Sequence, residues 1–499
     1  MHAKIPLPVL NILETLQKAD FEAYIVGGCV RDLILNRSPK DWDITTNAVP
    51  EAILKLFPDS FYENEFGTVG VKVPRFLKAT SLEYDTDVIE VTTYRTESDY
   101  NDKRHPQTIR FSTSLHEDLA RRDFTMNALA YGKDRSGQWT LVDLFEGQKH
   151  ITEKVICAVG NPAERFREDA LRLMRAVRFQ AELRQPESNI LKYDWHIDSA
   201  SFEAIQLLAD NIKHVSQERI RDEFSRILLS ASPAHGIQTL HDTGLLRTIM
   251  PELELGIGVT QNLHHIYTVW EHNLRALATC PSEKLSVRLA CLLHDIGKPH
   301  TKRGEGYHAT FYNHDHVGAR LTRDILTRLR YPKEIVTHAT LLVDNHLFYY
   351  NVGEVTEASV RRLIKRVGLE NMDDLMAVRI GDRLGSGVPK GKPYKLRHLE
   401  YMIEKVSRDP ISVKMLAIRG DDLMKELSLP ASPKIGALLE VLLGFVIDDP
   451  KENTRESLIK KAEALAHHDL GQLRKLASEK IAESRQEADA AIKKRYWVE

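Results

Sequence analysis

Lys40-Asp41-Trp42-Asp43-Ile44, preceded by Gly27-Gly28-Cys29-Val30-Arg31-Asp32, is the stretch on which the reading of this chain turns. Asp41 and Asp43 are two apart, and residues i and i+2 of a β-strand share one face. Two carboxylates on one face at a strand end can hold a hard cation such as Mg²⁺, which takes oxygen ligands and usually keeps a substrate phosphate in its shell. Upstream, Tyr24-Ile25-Val26 reads as a buried strand, and Gly27-Gly28 as a turn where the backbone can approach a ligand closely. Arg31 follows within reach of anything that turn holds. A strand, a Gly-Gly phosphate cradle, a guanidinium and a two-carboxylate clamp together predict chemistry that moves a nucleotide. Each piece alone is weak, because D-x-D and Gly-Gly occur on many surfaces and turns. Their order and close spacing carry the reading.

GGCVRD followed by KDWDITTNAVPE resembles the head of the class II tRNA nucleotidyltransferases, the CCA-adding enzymes, and of their relatives the bacterial poly(A) polymerases. The resemblance implies a polymerase-β-like nucleotidyltransferase head. It also implies that Gly28 and Arg31 contact the nucleotide and that Asp41 and Asp43 bind Mg²⁺.

The chain has 499 residues, too many for one core, so roughly two to four domains are expected. Its 69 Lys and Arg nearly balance 71 Asp and Glu, giving a formal charge of −2. There is no global pull toward nucleic acid or membrane, and any RNA surface must be a local patch. Cys29, Cys157, Cys280 and Cys291 have no ligand spacing, which suits a reducing compartment. The opening MHAKIPLPVLNILETLQKADF reads as a packed helix, not a signal peptide. No apolar run approaches the length of a membrane span, and a cytoplasmic placement is expected.

Strand-like segments crowd the first 150 residues: Tyr24–Val26, Trp42–Thr45, Thr68–Val73, Val88–Tyr94 and Trp139–Val142. After Asn161 the pattern is almost wholly helical, so the fold class is α+β: a mixed head on an all-helical body. Glu90, on the fourth segment, is a candidate third metal-site carboxylate, evenly weighed against an exposed strand glutamate. ESDYNDKRH, residues 97–105, reads as a mobile loop. Its position matches the family's flexible loop. Leu115, Leu119, Met126 and Leu129 have helical spacing, with Arg121 and Arg122 mid-segment and paired with Asp123. RRDFTMNA matches the family's second motif, implying that Arg122 contacts the incoming triphosphate. LVDLFEG, ending at Gly147, is similar to the family's hinge between head and neck.

Asn161-Pro162-Ala163-Glu164 is a helix start, with Asn as cap and Pro at the first position. The helix is read as continuing to Phe179. Asp169, Arg172, Arg175 and Arg178 recur every third residue along it, and three arginines exceed what one carboxylate can pair with. The family's protein template has the pattern EDxxR. By that resemblance Asp169 and Arg172 read the base, and Arg175 and Arg178 bind nucleotide. The chemistry agrees: a carboxylate accepts from the amino group of cytosine or adenine, and a guanidinium donates to a ring nitrogen or carbonyl. ERIRDE, at 218–223, matches a neck motif and is read as structural, with Ser216 as helix cap.

Ten of the 21 histidines lie between His264 and His346, which singles out a second region. His294 and Asp295 are adjacent at the end of an apolar helix, with His272 upstream and Asp382 downstream. That order of mixed N and O ligands suits a transition metal or Mg²⁺. It resembles the HD metal-dependent phosphohydrolase domain, whose implied ligands here are His272, His294, Asp295 and Asp382, with His314 and His346 as candidates for a second ion. The metal's identity is not legible. Nearer the end, KGKPYKLR (390–397) is either an RNA contact or a solvated linker, IRGDDL and SPKIGALL resemble the tail of long bacterial CCA-adding enzymes, and the final helices read as a solvent-exposed pair.

The expected organisation is a nucleotidyltransferase head (1–150), a helical neck with the base-reading helix (151–255), an HD body (256–390) and a helical tail that contacts tRNA (391–499). The expected activity is addition of CCA to the tRNA acceptor end from CTP and ATP, with Mg²⁺ in the head and a divalent metal in the HD site. A-only addition, as in a poly(A) polymerase, and an HD phosphohydrolase with a nucleotide-binding head are the rivals. No membrane partner is expected, and the sequence does not give the oligomeric state.

Overall fold

The computed structural model describes residues 1–64, 67–74, 86–98, 108–184, 194–262, 266–407, 413, 416–448, 450–477 and 493–498. The chain divides into two compact units. The first is Met1–Asp344 with Leu384–Gly387; the second is Asn345–Arg383 with Val388–Glu499.

The first unit opens on the helix Leu7–Lys18 and the strand β1, Ala23–Val26. β2 is Asp43–Thr46, β3 Ser60–Asn64, β4 Thr68–Pro74, β5 Thr86–Thr93, β6 Arg95–Ser98, β7 Thr108–Phe111, β8 Leu129–Lys133 and β9 Trp139–Asp143. Seven of them form one sheet in the order β3-β4-β5-β2-β1-β8-β9, while β6 and β7 pair separately. The β2–β5 pair is parallel and places Asp43 beside Glu90; β1 is antiparallel to both β2 and β8. β1 is buried along its whole length, as its apolar run requires at the sheet centre. Tyr24, Val26, Tyr94, Leu119 and Ala130 pack together on one side of it. The five predicted strands are present, with shifted ends. β3, β6, β7 and β8 were not foreseen; of the predicted mobile loop, Glu97 and Ser98 belong to β6, and residues 99–105 lie outside the described residues.

Two helical readings are corrected. The spacing from Leu115 to Leu129 does not build one helix: the helix Leu115–Ala120 stops, a 3-10 turn spans Thr125–Asn127, and Leu129 starts β8. Nor does a single helix run from Asn161 to Phe179. Asn161 caps the helix Pro162–Glu168, accepting from the amides of Ala163 and Glu164, but Asp169 is extended (φ −135°, ψ 108°) and a new helix runs Leu171–Leu183. Asp169 Oδ1 accepts from the Leu171 amide at 3.0 Å, so its side chain satisfies a donor that a continuous helix would have used itself. Ser216 stands at the start of the helix Gln217–Leu228 without a side-chain capping bond.

The second unit is helical. Leu423, Leu438, Leu442, Leu458 and Leu473 are fully buried in one cluster, each contributing roughly 1.5–3 kcal/mol relative to exposure. The helix Arg455–Leu465 therefore gives one face to a core, correcting its reading as part of a solvated pair. Within IRGDDL, Ile418 and Leu423 enter that core. Asp422 accepts from the Arg419 amide at 2.7 Å and from Arg455 at 2.6 Å.

Candidate active site

Gly27 connects β1 to the helix Gly28–Ile34 and has φ +81°. A side chain there would be strained, and its Cβ would lie 3.0 Å from Arg122 Nη1 and 3.9 Å from an Asp43 carboxylate oxygen. The glycine thus opens the spot where the arginine of one motif meets the carboxylate of the other. Asp41 lies just before β2 and is exposed; Trp42 between them is buried, and Asp43 begins the strand. Burial pushes the Asp43 carboxyl up; Arg122 opposes this and Asp41 adds to it. On the neighbouring strand Glu90 is pushed up to about 7 by burial and by the charges of Asp43, Glu63 and Asp41. Asp41 makes Asp43 harder to ionise, and both do so for Glu90, an arrangement that a divalent cation would relieve. Glu90, left open by the sequence, joins the cluster because strand register puts it next to Asp43.

Arg121 and Arg122 are not held by Asp123, as their sequence position suggested. They converge on Asp118, which is fully buried: Arg121 donates from Nη2 at 2.7 Å and Arg122 from Nη2 at 3.3 Å. Thr45 Oγ1 donates to the same carboxylate at 3.1 Å. The buried Nε of Arg122 has no hydrogen-bond partner among the described residues. Asp123 instead accepts from Arg175 Nε at 2.7 Å, from the Phe124 amide at 2.8 Å and from Asn127 Nδ2 at 3.3 Å. Burial disfavours its charge, yet Arg175 and Arg172 hold its carboxyl down at about 2. Asn127 Oδ1 in turn accepts from Arg31 Nη1 at 2.7 Å, while Arg31 grips Asp32 at 2.8 Å. Arg31, Arg175 and Arg178 all approach the Phe179 ring, at 5.3, 5.4 and 4.1 Å. This lattice locks the Gly-Gly motif to the helix Leu171–Leu183.

The four residues in line resolve into different surroundings. Arg219 of the helix Gln217–Leu228 donates from Nη2 and Nη1 to the two oxygens of Asp169, at 2.8 and 3.3 Å. Arg172 donates to Glu168 and to the carbonyls of Arg165 and Arg121. Arg178 is buried and held by Glu223 at 2.6 Å and Glu182 at 2.8 Å. Each arginine has its own carboxylate, so the surplus of cations inferred from spacing is not present. Glu223 and Arg219 both come from ERIRDE; Glu223 is structural as read, whereas Arg219 lines the cavity with Asp169, a placement the sequence reading missed.

Two cavities of about 300 Å³ each meet here. One is lined by Asp43, Glu90, Thr68 and Thr92, the other by Asp169, Arg172, Arg175 and Arg219, and Arg95, Arg121 and Arg122 belong to the walls of both. Asp43 and Arg172 therefore face adjoining spaces separated by a shared wall of guanidiniums. Gly28 stands 3.6 Å from Arg31 Nη2, measured from where its Cβ would be.

A second cluster lies elsewhere in the first unit. Thr268 and Glu271 form a reciprocal cap on the helix Val269–Ala278, which carries His272. His272 Nε2 is 2.9 Å from His294 Nε2, and Asp295 Oδ2 lies 3.3 and 3.4 Å from these two nitrogens. His294 Nδ1 is 2.8 Å from the Cys291 carbonyl, which places the ring proton there and leaves the Nε2 lone pair facing His272 and Asp295. His314, 3.4 Å from Asp295 Oδ1, is fixed in the same way by the Phe311 carbonyl at 2.7 Å. Gly297 lets the helix His314–Arg328 approach: a Cβ there would sit 2.1 Å from the His314 carbonyl oxygen. Although burial opposes it, Lys298 at 2.6 Å and His294 keep the Asp295 carboxyl well below its usual range. Buried imidazole lone pairs converging on an ionised carboxylate fit a divalent metal. Asp382 and His346 belong to the second unit, where Asp382 accepts from Arg379 Nη1 at 2.7 Å.

Comparison with known proteins places names on this geometry. Residues 23–157 match the family described as Poly A polymerase head domain, 194–256 that described as Probable RNA and SrmB- binding site of polymerase A, and 262–370 the HD domain. The CCA-adding enzyme of Geobacillus kaustophilus (strain HTA426) is 31% identical over 451 residues, covering 90% of this chain and 94% of the relative. That of Geobacillus sp. (strain WCH70) is 42% identical over 237 residues, covering 47% of this chain and 52% of the relative. The matched stretch is thus about half the length of that relative, as it is for the Bacillus cytotoxicus enzyme at 53%. Among solved structures, the Bacillus stearothermophilus CCA-adding enzyme in complex with CTP aligns with a TM-score of 0.56 and 27% identity, over 93% of this chain and 98% of that one. The Thermotoga maritima CCA-adding enzyme complexed with tRNA_CCA shares the fold at 17% identity, with a TM-score of 0.50 over 93% and 97% of the two chains.

Proposed function

The chain belongs to the CCA-adding enzyme family, and from that premise we propose that it adds CCA to the 3′ end of tRNA from CTP and ATP without a nucleic-acid template. The observation that carries this reading is the shared guanidinium wall between the Asp43–Glu90 carboxylates and the Asp169–Arg172 cavity.

Asp41 and Asp43, with Glu90 beside them, are the residues that would hold Mg²⁺; when bound, the ion supplies charge neutralisation at phosphate and a lowered pKa for an attacking hydroxyl. In the reaction the RNA 3′-oxygen bonds to the α-phosphorus of the incoming nucleotide, and pyrophosphate departs as the bond between α-phosphorus and its bridging oxygen breaks. Arg122, whose guanidinium lines both cavities, receives the triphosphate. Arg31, steadied by Asn127 and Asp32, holds the strand-to-helix turn at Gly28. Asp169 accepts from the exocyclic amino group of cytosine or adenine, and Arg172 donates to the neighbouring ring atom. Uracil and guanine would set an acceptor against Asp169 and leave buried groups unpaired, which is how polar readout discriminates strongly. Arg219 holds Asp169 in place, Arg175 ties the reading helix to the head through Asp123, and Arg178 serves the packing between that helix and the neck.

Asp43→Asn tests the assignment. Loss of several kcal/mol of transition-state charge stabilisation predicts a fall in tRNA end addition of about 10³-fold or more; a variant that keeps near-normal addition defeats it. The convergence of His272, His294, Asp295 and His314 favours a second, separate reading: metal-dependent hydrolysis of a phosphate ester in the HD region. Its test is phosphatase activity with added divalent metals, which His294→Ala should abolish while tRNA end addition persists.

A further inference from the structure

The second unit holds a cavity of about 380 Å³ within its own residues, far along the chain from the head motifs. Its floor is apolar, with Leu363 buried. Phe348, Tyr349, Tyr350, Arg362 and Arg366 all line the cavity; Arg379 stands 5.6 Å from the Phe348 ring and His398 6.0 Å from that of Tyr350, while Tyr349 is exposed. These arginines are four apart on the helix Glu357–Val367 and so lie on one face of it. Arg361 next to them pairs with Glu357. Among the described residues no ion pair engages Arg362 or Arg366, and Arg362 donates only to Ser359 Oγ, at 2.8 Å. Both tyrosine hydroxyls are tied down: Tyr349 to Glu354 and Asn351, Tyr350 to His398. Glu354 is thereby engaged by Tyr349 and Asn351, and the hydroxyl bonds reduce the freedom that the two rings would lose on binding.

We infer that this cavity binds a nucleotide, its base laid against the Phe348–Tyr350 aromatic segment and its phosphate received by Arg362 and Arg366. The size matches a small-molecule site. Aromatic faces accept any base, because stacking needs only a π surface. Two guanidiniums without carboxylates give the charge complement of a phosphate, which planar N–H donors bind in pairs. Lys395 donates to Asn351, which in turn donates to the Tyr349 hydroxyl, and so brings a further positive charge near this aromatic segment. The inference rests on the second unit alone and is independent of the head reading. A free mononucleotide and a nucleotide within an RNA strand present the same chemistry to this cavity.

Photo-crosslinking of the full-length protein separates these sources and tests the site. One arm uses 8-azido-ATP, the other single-stranded RNA containing 4-thiouridine, each followed by peptide mapping. The expected result is label on the peptide containing Phe348–Tyr350 in at least one arm, falling about tenfold, or 1.4 kcal/mol, in Arg362→Ala/Arg366→Ala. Label on head peptides around Arg122 serves as the internal control and stays unchanged, which also verifies that the variant is folded. Tyr349→Leu, which removes a stacking face and keeps the charge, should reduce the same label. Label with 8-azido-ATP assigns a free nucleotide; label with RNA alone assigns a strand. Absence of label on this peptide in both arms, or label indifferent to the arginine pair and to Tyr349, overturns the inference.

Discussion

Arg219→Ala is the perturbation whose outcome follows most directly from the geometry. Arg219 gives Asp169 two charge-assisted hydrogen bonds, at 2.8 and 3.3 Å, with side-chain exposures of 25% and 17%. Asp169 sits in a break between helices, so backbone geometry alone does not aim its carboxylate; Arg219 and the Leu171 amide do. A hydrogen bond to a charged group contributes about 1.5–3 kcal/mol, and the longer, partly exposed one contributes little, so about 2 kcal/mol is at stake. That corresponds to about thirtyfold in kcat/KM. The loss belongs to recognition of the base, not to binding of phosphate. Single-nucleotide incorporation with each of the four nucleotides should show kcat/KM for CTP and ATP falling about thirtyfold while UTP and GTP change little. Arg219→Lys should recover only part, since an ammonium cannot grip both carboxylate oxygens. An equal loss for all four nucleotides, or none for any, would refute the assignment of Arg219 as the residue that positions Asp169.

Other outcomes follow from the same contacts. Glu90 has its folded value raised to about 7 from 4.5, so without metal its protonated form favours the fold and that advantage is lost as pH rises through this window; thermal melts in chelator should fall across it, less so in Glu90→Gln, and Mg²⁺ should lift the high-pH melts. Arg178→Ala leaves Glu223 buried without its partner and should cost about 3–5 kcal/mol in denaturant unfolding, with base selectivity retained at a permissive temperature. Gly27→Ala forces an L-residue into φ +81° against Arg122; it should cost about 1–2 kcal/mol in stability and raise KM for both nucleotides in steady-state assays.

The head was legible where function is written in adjacent residues. Gly27-Gly28 follows β1 and Asp43 opens β2, close to where the pattern put them, whereas Asp41 lies before the strand, so the shared strand face read from period 2 is not what β2 provides. Glu90 was not decidable, because only the β2–β5 register brings it beside Asp43. Arg219 was missed because it meets Asp169 across fifty residues of chain. The break at Asp169 had a signal that went unused: aspartate competes for backbone amides and favours helix starts. Leu129 was misread because a short apolar run satisfies helical and strand periods alike. The final helices looked solvated because Ala, Lys and Glu conceal how thoroughly Leu458 and Leu473 are buried.

The measurement that bears most directly on the central claim is stepwise addition to tRNA ending just before CCA, with each labelled nucleotide supplied alone and then in sequence. The account predicts that CTP is taken up at the first two positions and ATP only at the third, with UTP and GTP rejected throughout. Incorporation of ATP alone, whatever the RNA end, would contradict it.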